Sequence, residues 1–330
     1  MTAEPSATAA EAALRGNVAP DPRIAVADVG GTQCRLAIAV ATPSGVRLEH
    51  LQVISTPRGD FTVALRTYLD AIGCERPAGI AVAAAGRVRR LPGRSWVSLT
   101  NTQLNVERES LASLTSGGVW LANDLAAVAA ALPLLGPAER VAFGPERDHL
   151  SDLRLVVGVG TGFGAAALPV EGGVIETEAG HVDLAAVSAE ERQWLNRMAP
   201  LGRLAVEQVL SGPGLLRLYE AVSGVPCPDY ETLLKRLDGH ETAANKTLAV
   251  FSSWLGRVIG NLVLNFGAWG GVYLTGGVIA GLSGVLDMQA FRRSFEDKAP
   301  FTADLGAVPV YQILHPQPAL VGMARMATAR

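Results

Sequence analysis

The stretch Asp28-Val-Gly-Gly-Thr-Gln-Cys-Arg35 constrains this chain more than any other, because it lies inside a run of alternating and β-branched residues from Ile24 to Val40. Such a run predicts a strand, a tight turn and a second strand. The paired glycines let the turn's backbone approach a ligand closely, and the threonine hydroxyl with successive amide N–H groups can face a phosphate. The acid before the turn stands where a phosphate-bound metal ion would lie. A second glycine–threonine turn, Gly158-Val-Gly-Thr-Gly-Phe-Gly164, follows apolar Leu153–Val157 and precedes apolar Ala165–Val170. Two such hairpins in one chain predict two related halves that grip one nucleotide.

The 330-residue chain can bury a sizeable core, and its length favours two domains. A hydrophobic fraction of 49% and 36 glycines suit a glycine-rich α/β enzyme. Net charge is −3, so no global basic field recruits nucleic acid or an anionic membrane. The lysines are Lys235, Lys246 and Lys298, and none follows a glycine. That excludes a Walker-A phosphate loop, and the strand lysine of a protein kinase is missing as well. Cys34, Cys74 and Cys227 form neither a zinc spacing nor an even disulfide set, so the expected compartment is a reducing cytoplasm. Met1–Pro22 is rich in Ala, Pro, Ser and Thr, without a basic start or compact apolar run, and is expected to be a disordered extension rather than a secretion signal. Val258–Leu286 carries no charge and is long enough to span a bilayer. Its period changes midway, however. Leu248, Phe251, Leu255, Val258 and Leu262 fall at helical spacing, and Gly271–Thr275 reads as a strand, so a buried helix feeding a buried strand is expected.

Strands are expected at 24–29, 35–40, 46–54, 79–84, 118–121, 153–158, 164–170, 271–275 and 309–313. Helices are expected at 60–72, 107–114, 124–134, 188–197, 203–209, 214–222, 230–237, 241–265, 288–296 and 318–329. Strands cluster and give way to helices twice over, which predicts an α/β fold with two sheets. The expected limits are an extension at 1–22, a small α/β domain at 23–133 rejoined by a C-terminal helix at 317–330, and a large α/β domain at 134–316.

Several short constellations carry chemistry. Val119-Trp-Leu-Ala-Asn-Asp124 is an apolar strand ending in Asn123 and Asp124, at the edge where α/β sheets meet their ligands. An acid there can serve as a general base on a hydroxyl, and the same pair can simply cap the following helix. Glu176-Thr-Glu-Ala-Gly-His-Val-Asp183 gathers three acids and a histidine; it reads as a polyol-binding segment, a weak metal site or a solvated turn. Glu207-Gln-Val-Leu-Ser-Gly-Pro-Gly214 reads as an acid ending one helix and a turn starting another. Leu274-Thr-Gly-Gly-Val278 could admit a nucleotide's base and ribose, or be a turn. Arg87–Arg94 is locally basic and reads as a solvated hairpin.

Taken in order, these segments resemble the bacterial glucokinases of the hexokinase/actin-like ATPase superfamily, from about Arg23 to the end of the chain. The matching blocks are Asp-Val-Gly-Gly-Thr (28–32) with Arg35, Leu-Ala-Asn-Asp (121–124), Gly-Thr-Gly-Phe-Gly (160–164), Glu-Ala-Gly-His-Val-Asp (178–183), Glu-Gln-Val-Leu-Ser-Gly-Pro-Gly-Leu (207–215), Gly-Asn-Leu-Val-Leu-Asn (260–265) and Thr-Gly-Gly-Val (275–278).

The resemblance implies two actin-like (ribonuclease H-like) domains with mixed sheets flanked by helices and an interdomain cleft. It implies a kinase that uses ATP and Mg²⁺ to phosphorylate a hexose, most simply glucose, at its 6-hydroxyl. Asp124 is then the general base, and Asn123, Glu178, His181 and Glu207 hold the other hydroxyls. Gly30, Gly31 and Thr32, with Gly160, Thr161 and Gly162, cradle the ATP phosphates; Asp28 orients Mg²⁺ indirectly, and Gly276 and Gly277 lie near the adenosine. The expected partner is a small sugar rather than nucleic acid or a membrane, and a homodimer is compatible with this reading. The chain departs from the family where Gln33 replaces the usual Asn, where Ala84-Ala85 replaces Cys-Pro or Gly-Pro, in an arginine-rich insertion at about 87–95, and at Leu104, where an aromatic is usual. These departures leave open a kinase of the same fold acting on another hexose or an amino sugar, and a sugar-sensing protein without turnover.

Overall fold

The structure, a computed structural model, describes residues 23–328 apart from 44, 100–103, 145, 147–151 and 201. The expected N-terminal extension lies outside the described residues. By contacts the chain forms two compact units: the residues up to Ala122 together with those from Met323, and Asn123–Gly322.

The first unit is built on a five-stranded sheet. Its strands are β1 (Ile24–Val29), β2 (Gln33–Thr42), β3 (Gly45–Ser55), β4 (Gly79–Ala84) and β8 (Gly118–Asn123), in the order β3-β2-β1-β4-β8. β1 pairs antiparallel with β2 across the first glycine turn and parallel with β4 on its other edge. β1 and β4 are apolar at nearly every position because both faces are covered. β3, at the edge, leaves most of its residues exposed or half-exposed. The helix Phe61–Ala71 turns Phe61, Leu65, Tyr68 and Leu69 into this core, one side of a 3.6-residue period, and Asp60 caps it by accepting the Thr62 N–H at 2.8 Å. Each such side chain is worth about 1.5–3 kcal/mol when fully buried. A separate three-stranded sheet, β5 (Val88–Leu91), β6 (Arg94–Ser98) and β7 (Asn105–Glu107), contains the basic hairpin, with Arg89 and Arg90 exposed.

The second unit repeats the same opening. Its six strands are β9 (Arg140–Ala142), β10 (Arg154–Val159), β11 (Phe163–Leu168), β12 (Ile175–Glu176), β13 (Val272–Thr275) and β14 (Val310–Ile313), in the order β12-β11-β10-β13-β14-β9. β10 pairs antiparallel with β11 across the second glycine turn and parallel with β13, as β1 does with β2 and β4. The expectation of two related halves therefore appears as a shared strand pattern.

The helix Thr242–Phe266 is the one helix among the described residues long and apolar enough to cross a bilayer. It is a core helix, with Phe251, Trp254, Leu255 and Ile259 wholly buried. The units part at 122/123 and 322/323, whereas the sequence places the limits at 133/134 and 316/317. The helix Asp124–Ala131 packs on β10 and β11, with Leu125 against Gly158 and Gly164. The helix expected over 203–209 is instead a single tight turn, Val206–Gln208. There the backbone bonds sideways to a neighbouring segment, with the Leu184 N–H donating to Leu204 O and the Val206 N–H to Val182 O, each at 2.9 Å, so the helical ladder cannot form.

Candidate active site

In the first unit Asp28 stands near the end of β1, and Gly30, Gly31 and Thr32 form the turn into β2. The Gly30 N–H closes the turn onto Gln33 O at 2.9 Å. Thr56 braces it from β3's end: its hydroxyl donates to Gly30 O at 2.6 Å and its N–H to Thr32 O at 3.0 Å. Gly31, Thr32 and Gln33 remain exposed, so their backbone is open to a ligand. Asp28 is not. Its carboxylate accepts from Arg35 Nη1 at 3.2 Å, with 19% of the side chain exposed. Burial pushes its carboxyl above the ordinary range, against the opposing pull of Arg35. Gln33, the departure from the family pattern, accepts from Arg35 Nη2 at 3.3 Å. Burial likewise pushes the Cys34 thiol up to about 12, Asp28 adding to the effect and Arg35 opposing it.

The second unit brings together more of the expected residues. The Gly160 N–H closes its turn onto Gly162 O at 2.9 Å, and the Gly212 N–H donates to Gly160 O at 2.8 Å. Thr161 is exposed at the tip. Glu207 reaches into the turn, its Oε2 accepting the Phe163 N–H at 3.0 Å. A Cβ on Gly162 would fall 2.2 Å from that oxygen, so only glycine leaves room for the carboxylate. Gly276, at φ 103°, follows β13 and passes so near β10 that a Cβ there would fall 2.3 Å from Val159 O. Gly277 begins the short helix Gly277–Gly281, with its N–H group 3.8 Å from where a Cβ of Gly160 would stand. Gly160, Glu207, Gly276 and Gly277 thus share one neighbourhood.

Asn123 and Asp124 sit at the end of β8, where the helix Asp124–Ala131 begins. Asn123 is that helix's N-cap, its Oδ1 accepting from the N–H groups of Leu125 at 2.9 Å and Ala126 at 3.3 Å. Asp124 Oδ1 accepts from Leu125 N–H at 2.8 Å. Both carboxamide and carboxylate therefore take part in the cap, which does not exhaust the chemistry of either side chain. Glu178 and His181 flank the turn Ala179–His181, their side chains 58% and 65% exposed, and His181 Nε2 stands 3.8 Å from Glu178 Oε2. Arg203 holds this turn's far side through His181 O at 2.6 Å and Asp183 Oδ1 at 2.5 Å. No cluster of three potential metal ligands occurs among the described residues, so the metal reading of Glu176–Asp183 has no support.

Thr56, on the first turn, escapes the sequence reading, and Gly212 and Glu176, whose Oε1 accepts the Asn123 N–H at 3.3 Å, lie in segments it singled out for other roles. Each acts through a backbone partner distant in sequence, for which the local sequence carries no signal.

Two glycine–threonine turns on repeated strand patterns, with an Asn-Asp pair at a strand's C-terminal end, define a sugar kinase of the actin-like ATPase fold. The family model described as glucokinase matches residues 25–330. The glucokinase of Xylella fastidiosa strain 9a5c is 31% identical over 334 residues, covering 94% of this chain and 96% of its own length. That of Xanthomonas campestris pv. campestris strain 8004 is 32% identical over 330 residues, with coverage of 94% and 96%. Among solved structures, glucokinase from an Antarctic psychrotroph superposes with a TM-score of 0.81 at 29% identity, covering 92% of this chain and 98% of that one. The chain belongs to the glucokinase family, and its reaction is the ATP-dependent phosphorylation of glucose.

Proposed function

We propose that the chain transfers the ATP γ-phosphoryl group to the 6-hydroxyl of glucose with Asp124 as general base. The observation that carries this reading is the place of Asp124, at the C-terminal end of β8 and the first residue of a capped helix. A carboxylate held there by the Leu125 N–H keeps a fixed position, which a base in reach of a bound hydroxyl requires. Asn123, Glu178, His181 and Glu207 would hold the remaining sugar hydroxyls. The exposure of Glu178 and His181 fits side chains that complete their hydrogen bonds only when a polyol arrives.

Gly30, Gly31 and Thr32 in the first unit, and Gly160, Thr161 and Gly162 in the second, would take the ATP phosphates on backbone N–H groups and threonine hydroxyls. Gly276 and Gly277 would accommodate the adenosine. Phosphoryl transfer asks mainly for positioning and charge stabilisation, so paired turns can serve without a lysine loop. Asp28 offers a hard oxygen donor of the type Mg²⁺ uses alongside substrate phosphates, and its tie to Arg35 favours contact through water. Mg²⁺ would supply neutralisation of the phosphate charge. Closure around the sugar would exclude water and limit ATP hydrolysis.

Asp124→Ala is expected to lower kcat by on the order of 100-fold or more while ATP still binds, since a base acts in the transition state. Near wild-type turnover in that variant, measured by coupled assay beside ATP-binding titration, would refute the assignment.

A further inference from the structure

Glu176 belongs to none of the proposed roles above, yet its carboxylate is bonded to the backbone of the Asn-Asp pair. Its Oε1 accepts the Asn123 N–H at 3.3 Å. At the same junction Asn123 Oδ1 serves Leu125 and Ala126, and Asp124 Oδ1 serves Leu125. Glu176 is itself fixed from the other side. It lies opposite Ala166 in the β11–β12 ladder. The next residue, Thr177, donates from its hydroxyl to Ala165 O at 2.6 Å and accepts the Ala179 N–H at 3.3 Å. The chain then runs directly through Glu178 to the His181 turn.

We propose that Glu176 is a positioning residue, holding the Asn123–Asp124 junction in register with the segment that carries Glu178 and His181. The inference rests on the reading of Asp124 as the base. The bond needs an oxygen acceptor at this reach, so the length of the Glu176 side chain sets the distance between the two segments. The link matters because the base and the residues proposed to hold the sugar come from different elements, β8 and the β12 segment. β8 and β12 belong to different sheets, and this bond adds a direct tie to the packing of the helix Asp124–Ala131 on β10, β11 and β12. The step served is the proton transfer from the sugar hydroxyl. A displacement of about 1 Å in such geometry can cost on the order of 100-fold in rate. Glu176 touches neither sugar nor phosphate in this account; it acts through Asn123.

Two conservative variants of the full chain test it. Glu176→Gln keeps an oxygen acceptor at the same reach, and kcat should stay within about 3-fold of wild type. Glu176→Asp keeps the charge but withdraws the acceptor by one methylene, and kcat should fall about 10-fold or more with the ATP KM and the melting temperature unchanged. Wild-type kcat in the aspartate variant overturns the proposal. So does a glutamine variant as impaired as the aspartate one, because an oxygen acceptor kept at the same reach would then fail to preserve the geometry. Asp124→Ala, assayed in parallel, separates the two readings. Turnover there removes the base itself, whereas an inactive Asp124→Ala beside an unaffected Glu176→Asp removes only the positioning role.

Discussion

Asp28 shows how a single side chain carries a cost for its position. Burial raises its carboxyl above the ordinary 3.8, and Arg35 only partly offsets this. The folded chain therefore holds that proton more tightly than the unfolded chain. From 3.8 upward to the raised value, stability falls as pH rises, and above the window the loss is complete. Asp28→Asn removes the titration, so its melting temperature relative to wild type should climb across that window and then level off. A gap independent of pH in thermal unfolding would show that Asp28 is not burdened in this way. Gly162→Ala probes the second turn. Its Cβ would collide with Glu207 Oε2 and drive the carboxylate from the Phe163 N–H. Steady-state kinetics should show kcat/KM reduced on the order of 100-fold, the cost typical of misplacing an active-site group by an ångström. At this scale the sequence reading went furthest where chemistry is local. The Asn123 cap and the glycine turns follow from adjacent residues. Glu176 and Thr56 do not, because the partner of each is a backbone group distant in sequence and brought near by tertiary folding.

Helices and strands were legible to the extent that their periodicity was undisturbed. The helix Thr242–Phe266 follows from its apolar spacing, although composition alone would also allow a membrane span; the side chains buried around Trp254 decide between them. The segment at 203–209 has helical spacing but bonds the Val206 N–H and the Leu204 carbonyl to the stretch Val182–Leu184, a choice that no window of local sequence contains. Ser211 is a capping residue that the Ser-Gly-Pro-Gly pattern does foretell. Only 2% exposed, it accepts the Gly214 N–H at 3.1 Å to start the helix Gly212–Ser223. Ser211→Ala should destabilise the protein by about 1–2 kcal/mol, since the cap is buried and its N–H donor would be left without the hydroxyl. Chemical denaturation showing no change in midpoint would contradict this.

For the molecule as a whole, the family was readable from ordered blocks, and the doubling of strand–turn–strand with a parallel neighbour gives those blocks a physical frame. The division at 122/123 was not readable, because it depends on which sheet the helix Asp124–Ala131 packs against. A ligand that binds only the folded chain stabilises it by about 2.7 kcal/mol at a hundred times its Kd. Glucose at that excess should therefore raise the melting temperature by several degrees, and a hexose panel should rank by the same shift. A larger shift with another hexose, matched by faster turnover, would reassign the preferred sugar.

The first unit is assembled from both ends of the chain, its closing piece beginning at Met323. On a ribosome, domains ordinarily fold as they emerge, earliest first. Here the strands made first are joined by a segment made after Asn123–Gly322, so the order of synthesis does not set the order in which the two units are completed.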